Sequence, residues 1–137
     1  MFIYRHKIRT RYNHTDRMGY VYYGRYAEFF EEARVDALRS IGVSYKKMEE
    51  EGMYSPVITL RVNYYQPLYY DELITVEAIV PVMPTLRTKF IFKVYNEKGE
   101  LTADGETSLV FVDGITRKPV RLPEVVEKAF EPFFTGN

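Results

Sequence analysis

Two periodicities divide this chain. Between residues 24 and 41, apolar side chains recur at Tyr26, Phe30, Ala33, Ala37 and Ile41, in steps of four, three, four and four. That spacing keeps one face of an α-helix apolar and predicts a helix of about five turns. Glu28, Glu31, Glu32 and Asp36 fall mainly off the stripe, as a solvated flank would, and Gly42 supplies the stop expected after a helix. Residues 2–12 instead alternate with the two-residue period of a strand. A second, shorter helix is expected from a Ser44 cap through YKKMEEE to Gly52, its charge run facing water.

From Ser55 onward the pattern is that of β-structure: VITLRVNYY, ELITVEAIV, KFIFKVYN and LTADGETSLVFVD. Gln66-Pro67, the run from Pro81 to Pro84 and a hairpin turn at Asn96-Glu97-Lys98-Gly99 divide these segments. After Pro123 a short amphipathic helix closes the sequence. The order is strand, long helix, then four strands in meander-like succession, which is an α+β layout in one domain spanning residues 1–137. One long helix covers one face of a five-stranded antiparallel sheet. The other face and the sheet edges stay open to a second subunit, so at least a dimer is expected.

Composition narrows the classes of function. At 137 residues and 46 % hydrophobic content the chain builds one real core. Lys plus Arg and Asp plus Glu both number 19, so no global field draws the protein toward nucleic acid or an anionic membrane. The absence of cysteine excludes disulfides, thiolate zinc sites and a cysteine nucleophile. The N-terminal MFIYRHKIRTRY alternates apolar and basic residues where a signal peptide has a continuous apolar run, and no stretch has the length of a membrane span. A cytoplasmic location is expected.

The chemistry-bearing stretch is residues 11–34, RYNHTDRMGYVYYGRYAEFFEEAR. Asp16 sits seven residues before Tyr23, which puts a carboxylate on a loop beside a helix N-terminus. Unpaired N–H groups and the positive end of the helix dipole can hold a developing negative charge there. Taken alone, Thr15-Asp16 before Met18-Gly19 is equally ordinary turn chemistry, with the carboxylate bonded to local N–H groups. His6 and His14 lack a spaced ligand set, and no metal is expected. Glu28, Glu31 and Glu32 point in different directions on a helix, which argues against paired-carboxylate catalysis. The tyrosines at 20, 22, 23, 26, 64, 65, 69 and 70, with Arg9, Arg11, Arg25 and Arg61 interleaved, could stack nucleobases, but strand and interface packing accounts for them at zero net charge. No nucleophile elbow, P-loop, dinucleotide fingerprint or H-E-x-x-H motif occurs.

The same stretch resembles the signature of the hotdog-fold acyl-CoA thioesterases of the 4-hydroxybenzoyl-CoA thioesterase type. The likeness continues through VNYYQPLYYDE, YNEKGELTADGETSLVFVD and RKPVRLPEVV, nearly the whole chain. It implies a hotdog fold, a five-stranded antiparallel sheet wrapped around one long central helix. In that family the acid of the T-D-x-x-G turn is the catalytic carboxylate, a role the resemblance carries onto Asp16 as either nucleophile or general base. The residue seven positions later opens the central helix and polarises the thioester carbonyl through its backbone N–H, a role carried onto Tyr23.

Many short-chain acyl-CoA relatives have His where this chain has Tyr23 and Asn where it has Arg25, whereas the hydroxybenzoyl type has Tyr. The resemblance further implies that Tyr22 and Tyr26 shape an acyl pocket across a dimer interface, and that Arg87 contacts the nucleotide phosphates of CoA, although Arg87 reads equally well as a solvated strand end. The expected function is hydrolysis of a fatty or aromatic acyl-CoA to free acid and CoA. No cofactor is implied beyond the CoA of the substrate, and the expected assembly is a homodimer or homotetramer. An acyl-carrier-protein thioesterase and a non-catalytic acyl-CoA binding module are the alternatives.

Overall fold

The computed structural model describes residues 1–135. Strand β1 (Phe2–Arg9) leads through two 3₁₀ turns, Tyr12–His14 and Tyr23–Arg25, into helix α1 (Tyr26–Ser40). Helix α2 (Tyr45–Glu50) and strands β2 (Met53–Tyr54), β3 (Val57–Tyr64), β4 (Leu73–Val80), β5 (Arg87–Tyr95), β6 (Leu101–Asp113) and β7 (Pro119–Val120) follow, and helix α3 (Glu124–Phe130) runs into a third 3₁₀ turn, Glu131–Phe133. The long strands form one antiparallel sheet in the order β1-β4-β5-β6-β3, and the two-residue strands β2 and β7 pair with the far end of β6. This is the α+β hotdog architecture expected from the sequence.

The succession of strands departs from the meander that the sequence suggested. Among the long strands only β4, β5 and β6 are sequential neighbours; β3 pairs with β6, and the chain then crosses to the opposite side of the sheet, where β4 pairs with β1 over eight residues from Phe2↔Val80 to Arg9↔Leu73. Burial explains the choice. Strand β4 buries Ala78, Ile79 and Val80 in succession, on both faces, and needs neighbours on either side. Strand β3 is the sheet edge, with Val57, Ile58 and Leu60 exposed.

Helix α1 lies against the sheet through Tyr26, Phe30, Ala33 and Ala37, all buried, while Ile41 is half-buried just past the helix end. Phe29, Arg34 and Leu38 widen this stripe. Close approach of helix to sheet is made at Gly105, where a Cβ would meet the ring of Phe30 at 2.7 Å and the carbonyl of Arg61. Arg34 is the only buried charged side chain among the described residues; its guanidinium lies over the ring of Tyr45, 5.7 Å from the centroid. Burial pushes the Tyr45 phenol up from its ordinary pKa. The second helix is capped as expected, Lys47 N–H donating to Ser44 Oγ at 3.3 Å.

Candidate active site

The loop carrying Asp16 is tied down by its backbone. Asp16 N–H donates to Tyr20 O at 2.9 Å and Gly19 N–H returns to Asp16 O at 3.1 Å, closing a four-residue turn that places Gly19 at φ +84°. Val21 N–H then bonds Leu68 O at 2.8 Å, and Tyr22 N–H bonds His14 O at 2.7 Å, so the loop docks on both its neighbours. Asp16 Oδ1 accepts the N–H of Met18 at 2.9 Å. The ordinary turn role anticipated for this acid is therefore real. It uses one carboxylate oxygen; Oδ2 has no hydrogen-bond partner among the described residues.

Tyr23 opens a 3₁₀ turn, Tyr23–Arg25, that runs directly into α1, one turn earlier than the α-helix proper. Arg25 N–H bonds Tyr22 O at 2.9 Å and Tyr26 N–H bonds Tyr23 O. The N–H groups of Tyr23 and Gly24 precede this first closed turn and have no partner among the described residues. Neither Tyr22 nor Arg25 caps them with a side chain. Two free donors at the positive end of a helix form a site for an oxygen bearing negative charge.

Asp16, Tyr23 and Tyr26 line one cavity of about 370 Å³, closed on its other side by Tyr64, Tyr65 and the Gln66-Pro67 turn. Burial raises the pKa of the Tyr26 phenol and keeps it neutral. Tyr22 is exposed and its ring lies against that of Tyr23, 4.5 Å between centroids and tilted by 42°; its phenol is raised from the ordinary tyrosine pKa chiefly by the neighbouring Tyr23 hydroxyl. Gly24 makes room for that ring, since a Cβ there would sit 2.6 Å from it.

Arg87 is not brought to this cavity within the chain. It pairs with Val110, whereas the cavity adjoins Tyr64, which pairs with Ala103. Seven residues of β6 separate the two, about 23 Å at roughly 3.3 Å per residue. Tyr64 and Tyr65 were not among the expected site residues. Alternation places Tyr64 on the same face of β3 as Leu60 and Val62, but only the fold brings that face to the helix start.

Four further tyrosines pair with one another, Tyr20 with Tyr69 at 6.0 Å and Tyr12 with Tyr70 at 5.8 Å. Arg9, Arg25 and Arg61 are engaged by carboxylates of Asp71 and Glu97, Glu28, and Glu106. His6 lies between Glu32 and Asp36, 2.6 and 3.1 Å from their oxygens. No group of three or more His, Asp or Glu side chains is placed to hold a metal ion among the described residues, and no helix of the described chain is long and apolar enough to cross a membrane.

A hotdog sheet around a central helix, with an acid and an uncapped helix start facing one cavity, defines a class of thioester-handling folds. The profile of the thioesterase-like superfamily matches residues 10–130, and the chain belongs to that family. It is 31 % identical to the acyl-CoA thioesterase YbgC of Haemophilus influenzae, over 90 % of each chain. To the acyl-CoA thioester hydrolase YbgC of Escherichia coli O6:H1 it is 28 % identical, over 94 % of this chain and 96 % of that one. The crystal structure of a DHNA-CoA thioesterase from Staphylococcus aureus superposes with a TM-score of 0.93 at 38 % identity, covering 97 % of this chain and 91 % of that one.

Proposed function

We propose that this chain hydrolyses acyl-CoA thioesters to the free acid and CoA, with Asp16 as the catalytic carboxylate and the N–H of Tyr23 as the donor to the thioester carbonyl. The observation carrying this reading is that Asp16 and Tyr23, the residue whose N–H is unpaired among the described residues, line the same cavity. A carbonyl oxygen seated at the helix start has its developing negative charge met by fixed donors and by the dipole. Asp16 Oδ2 then acts in one of two ways. It attacks the carbonyl carbon, expelling the CoA thiolate and leaving an anhydride for water to open, or it takes a proton from a water that attacks. Both routes use only the substrate, water and this chain, so no cofactor is proposed.

The exposed edge of β3 is where a second copy would add its own strand, and a homodimer or homotetramer goes with this reading. In such an assembly Tyr22 and Tyr26 would flank the acyl group, and Arg87 would reach the CoA phosphates only of a neighbouring subunit's substrate. A cytoplasmic location accompanies it. The test is free-thiol release across short, medium, long and aromatic acyl-CoAs and an acyl-carrier-protein thioester, with Asp16→Asn in parallel. Turnover on CoA substrates that disappears with Asp16→Asn supports the assignment. Binding without thiol release by the unmutated protein would overturn it in favour of a binding module, and turnover confined to the carrier-protein thioester would reassign the substrate.

A further inference from the structure

The uncapped helix start poses a mechanical question: what fixes the direction of the Tyr23 N–H when no side chain caps the helix? Tethers reach this turn from two directions. From the Asp16 side of the chain, Tyr22 N–H bonds His14 O at 2.7 Å and Arg25 Nη2 bonds Asn13 O at 3.0 Å. From the sheet comes a single one among the described residues, Tyr64 Oη donating to Tyr23 O at 2.7 Å across 41 residues of sequence.

Tyr64 is well held for that task. It is the last residue of β3, paired with Ala103 of β6, and its ring stands edge-on to the buried ring of Tyr26 at 4.9 Å and 90°. Its hydroxyl meets a carbonyl that also accepts the Tyr26 N–H, the bond that closes the first turn. Tyr23 O is thus clamped between the helix and the sheet. That carbonyl shares its planar peptide unit with the Gly24 N–H, and the Tyr23 N–H adjoins the same unit through one Cα, so a held carbonyl orients the first donor directly and restrains the second through the backbone of Tyr23.

We infer that Tyr64 is a positioning residue for thioester hydrolysis, its hydroxyl orienting the Tyr23 turn so that the unpaired N–H meets the carbonyl oxygen in the transition state. This rests on the function proposed above. Donors that stabilise developing charge act through fixed geometry, and small displacements of reacting groups carry large rate effects. A residue acting this way changes kcat and leaves substrate affinity nearly alone.

The test is Tyr64→Phe in the full-length protein, which keeps the ring against Tyr26 and removes only the hydroxyl. The expected result is kcat lowered about tenfold with KM within about twofold, the scale of one neutral hydrogen bond and not of a lost donor. Amide hydrogen exchange at Arg25 and Tyr26, whose N–H groups close the turn on Tyr22 O and Tyr23 O, should quicken while exchange in β6 and the melting temperature stay as they were. Unchanged kcat would overturn the proposal, as would a rise in KM alone, which would make Tyr64 a plain wall of the cavity. A fall in kcat accompanied by a proportionate loss of melting temperature, with faster exchange throughout the sheet, would overturn it too, as a structural effect. Asp16→Asn run alongside separates the two readings. Turnover retained in Asp16→Asn defeats the catalytic assignment itself, whereas turnover lost there but retained in Tyr64→Phe defeats only the role of Tyr64.

Discussion

The rings of Phe30 and Phe92 lie parallel, 4.5 Å between centroids and 6° between planes, and Gly105 sits beside Phe92 in the adjacent strand with the edge of Phe30 over it. The helix ring therefore occupies the volume a side chain at 105 would need. Gly105→Ala should destabilise the fold by about 1–3 kcal/mol, the scale of overpacking in a rigid core. Urea denaturation with an unchanged m-value and a lower midpoint checks it; a midpoint equal to that of the unmutated protein would mean that Phe30 yields without cost.

Asp16→Asn keeps an Oδ1 acceptor for the Met18 N–H and so keeps the turn. What it removes is the charge and basicity of the oxygen without a partner. Turnover should fall by about two orders of magnitude or more while the melting temperature changes little. Thiol release and thermal unfolding on the same preparation read both quantities.

The donor at Tyr23 is backbone, so its side chain and its N–H can be separated by mutation. Tyr22 has an extended backbone, φ −61° and ψ 133°, which suits a residue before proline, and position 23 is the first of the turn, where proline fits. Tyr23→Pro should fold and lose about 10²–10³ in kcat, the scale of one deleted oxyanion donor. Tyr23→Ala, which keeps the N–H, should retain most of the turnover. Equal losses in the two variants would place the function in the phenol ring instead.

His14 gives a pH dependence with a definite sign. Burial, then the nearby Arg25 cation, lowers its pKa below the ordinary histidine value of 6.5. The ring is neutral, its Nδ1 accepting the Arg11 N–H at 2.9 Å while the ring edge meets Phe29 at 5.1 Å. Because the unfolded chain binds this proton more readily, stability is fully present above pH 6.5 and declines as the pH falls through the lower folded-state value. An NMR titration should find the His14 midpoint below 6.5, and His14→Gln should flatten the stability profile in that window. A His14 midpoint above 6.5 would reverse the sign.

Much of this arrangement was legible in the pattern of residues. The stripe from Tyr26 to Ala37 is the buried face of α1, and the Ser44 cap and the turn closed by Gly99 N–H on Asn96 O at 2.9 Å fall where side-chain chemistry put them. Strand boundaries lie within a few residues of expectation because Pro and Gly mark them. Strand order was not legible, since alternation within β3 says which side chains share a face but nothing about which strand lies beside it. For the same reason the nearness of Asp16 to the helix start at Tyr23, close in sequence, could be read directly, while the approach of Tyr64, 41 residues from Tyr23, could not. The burial of Arg34 was not legible either, because the ring of Tyr45 beneath its guanidinium offers a partner that no helical spacing reveals.

In most helices a serine or aspartate satisfies the first N–H groups; at Tyr23 and Gly24 that place is empty of side chains. A bound thioester carbonyl would complete the helix as a cap does, which ties occupancy to folding by mass action. Ligand at a hundredfold excess over its Kd stabilises the folded state by about 2.7 kcal/mol when it does not bind the unfolded chain. Melting temperature thereby becomes a gauge of which acyl groups fit, and it can be read in Asp16→Asn protein, where the substrate survives long enough to be weighed.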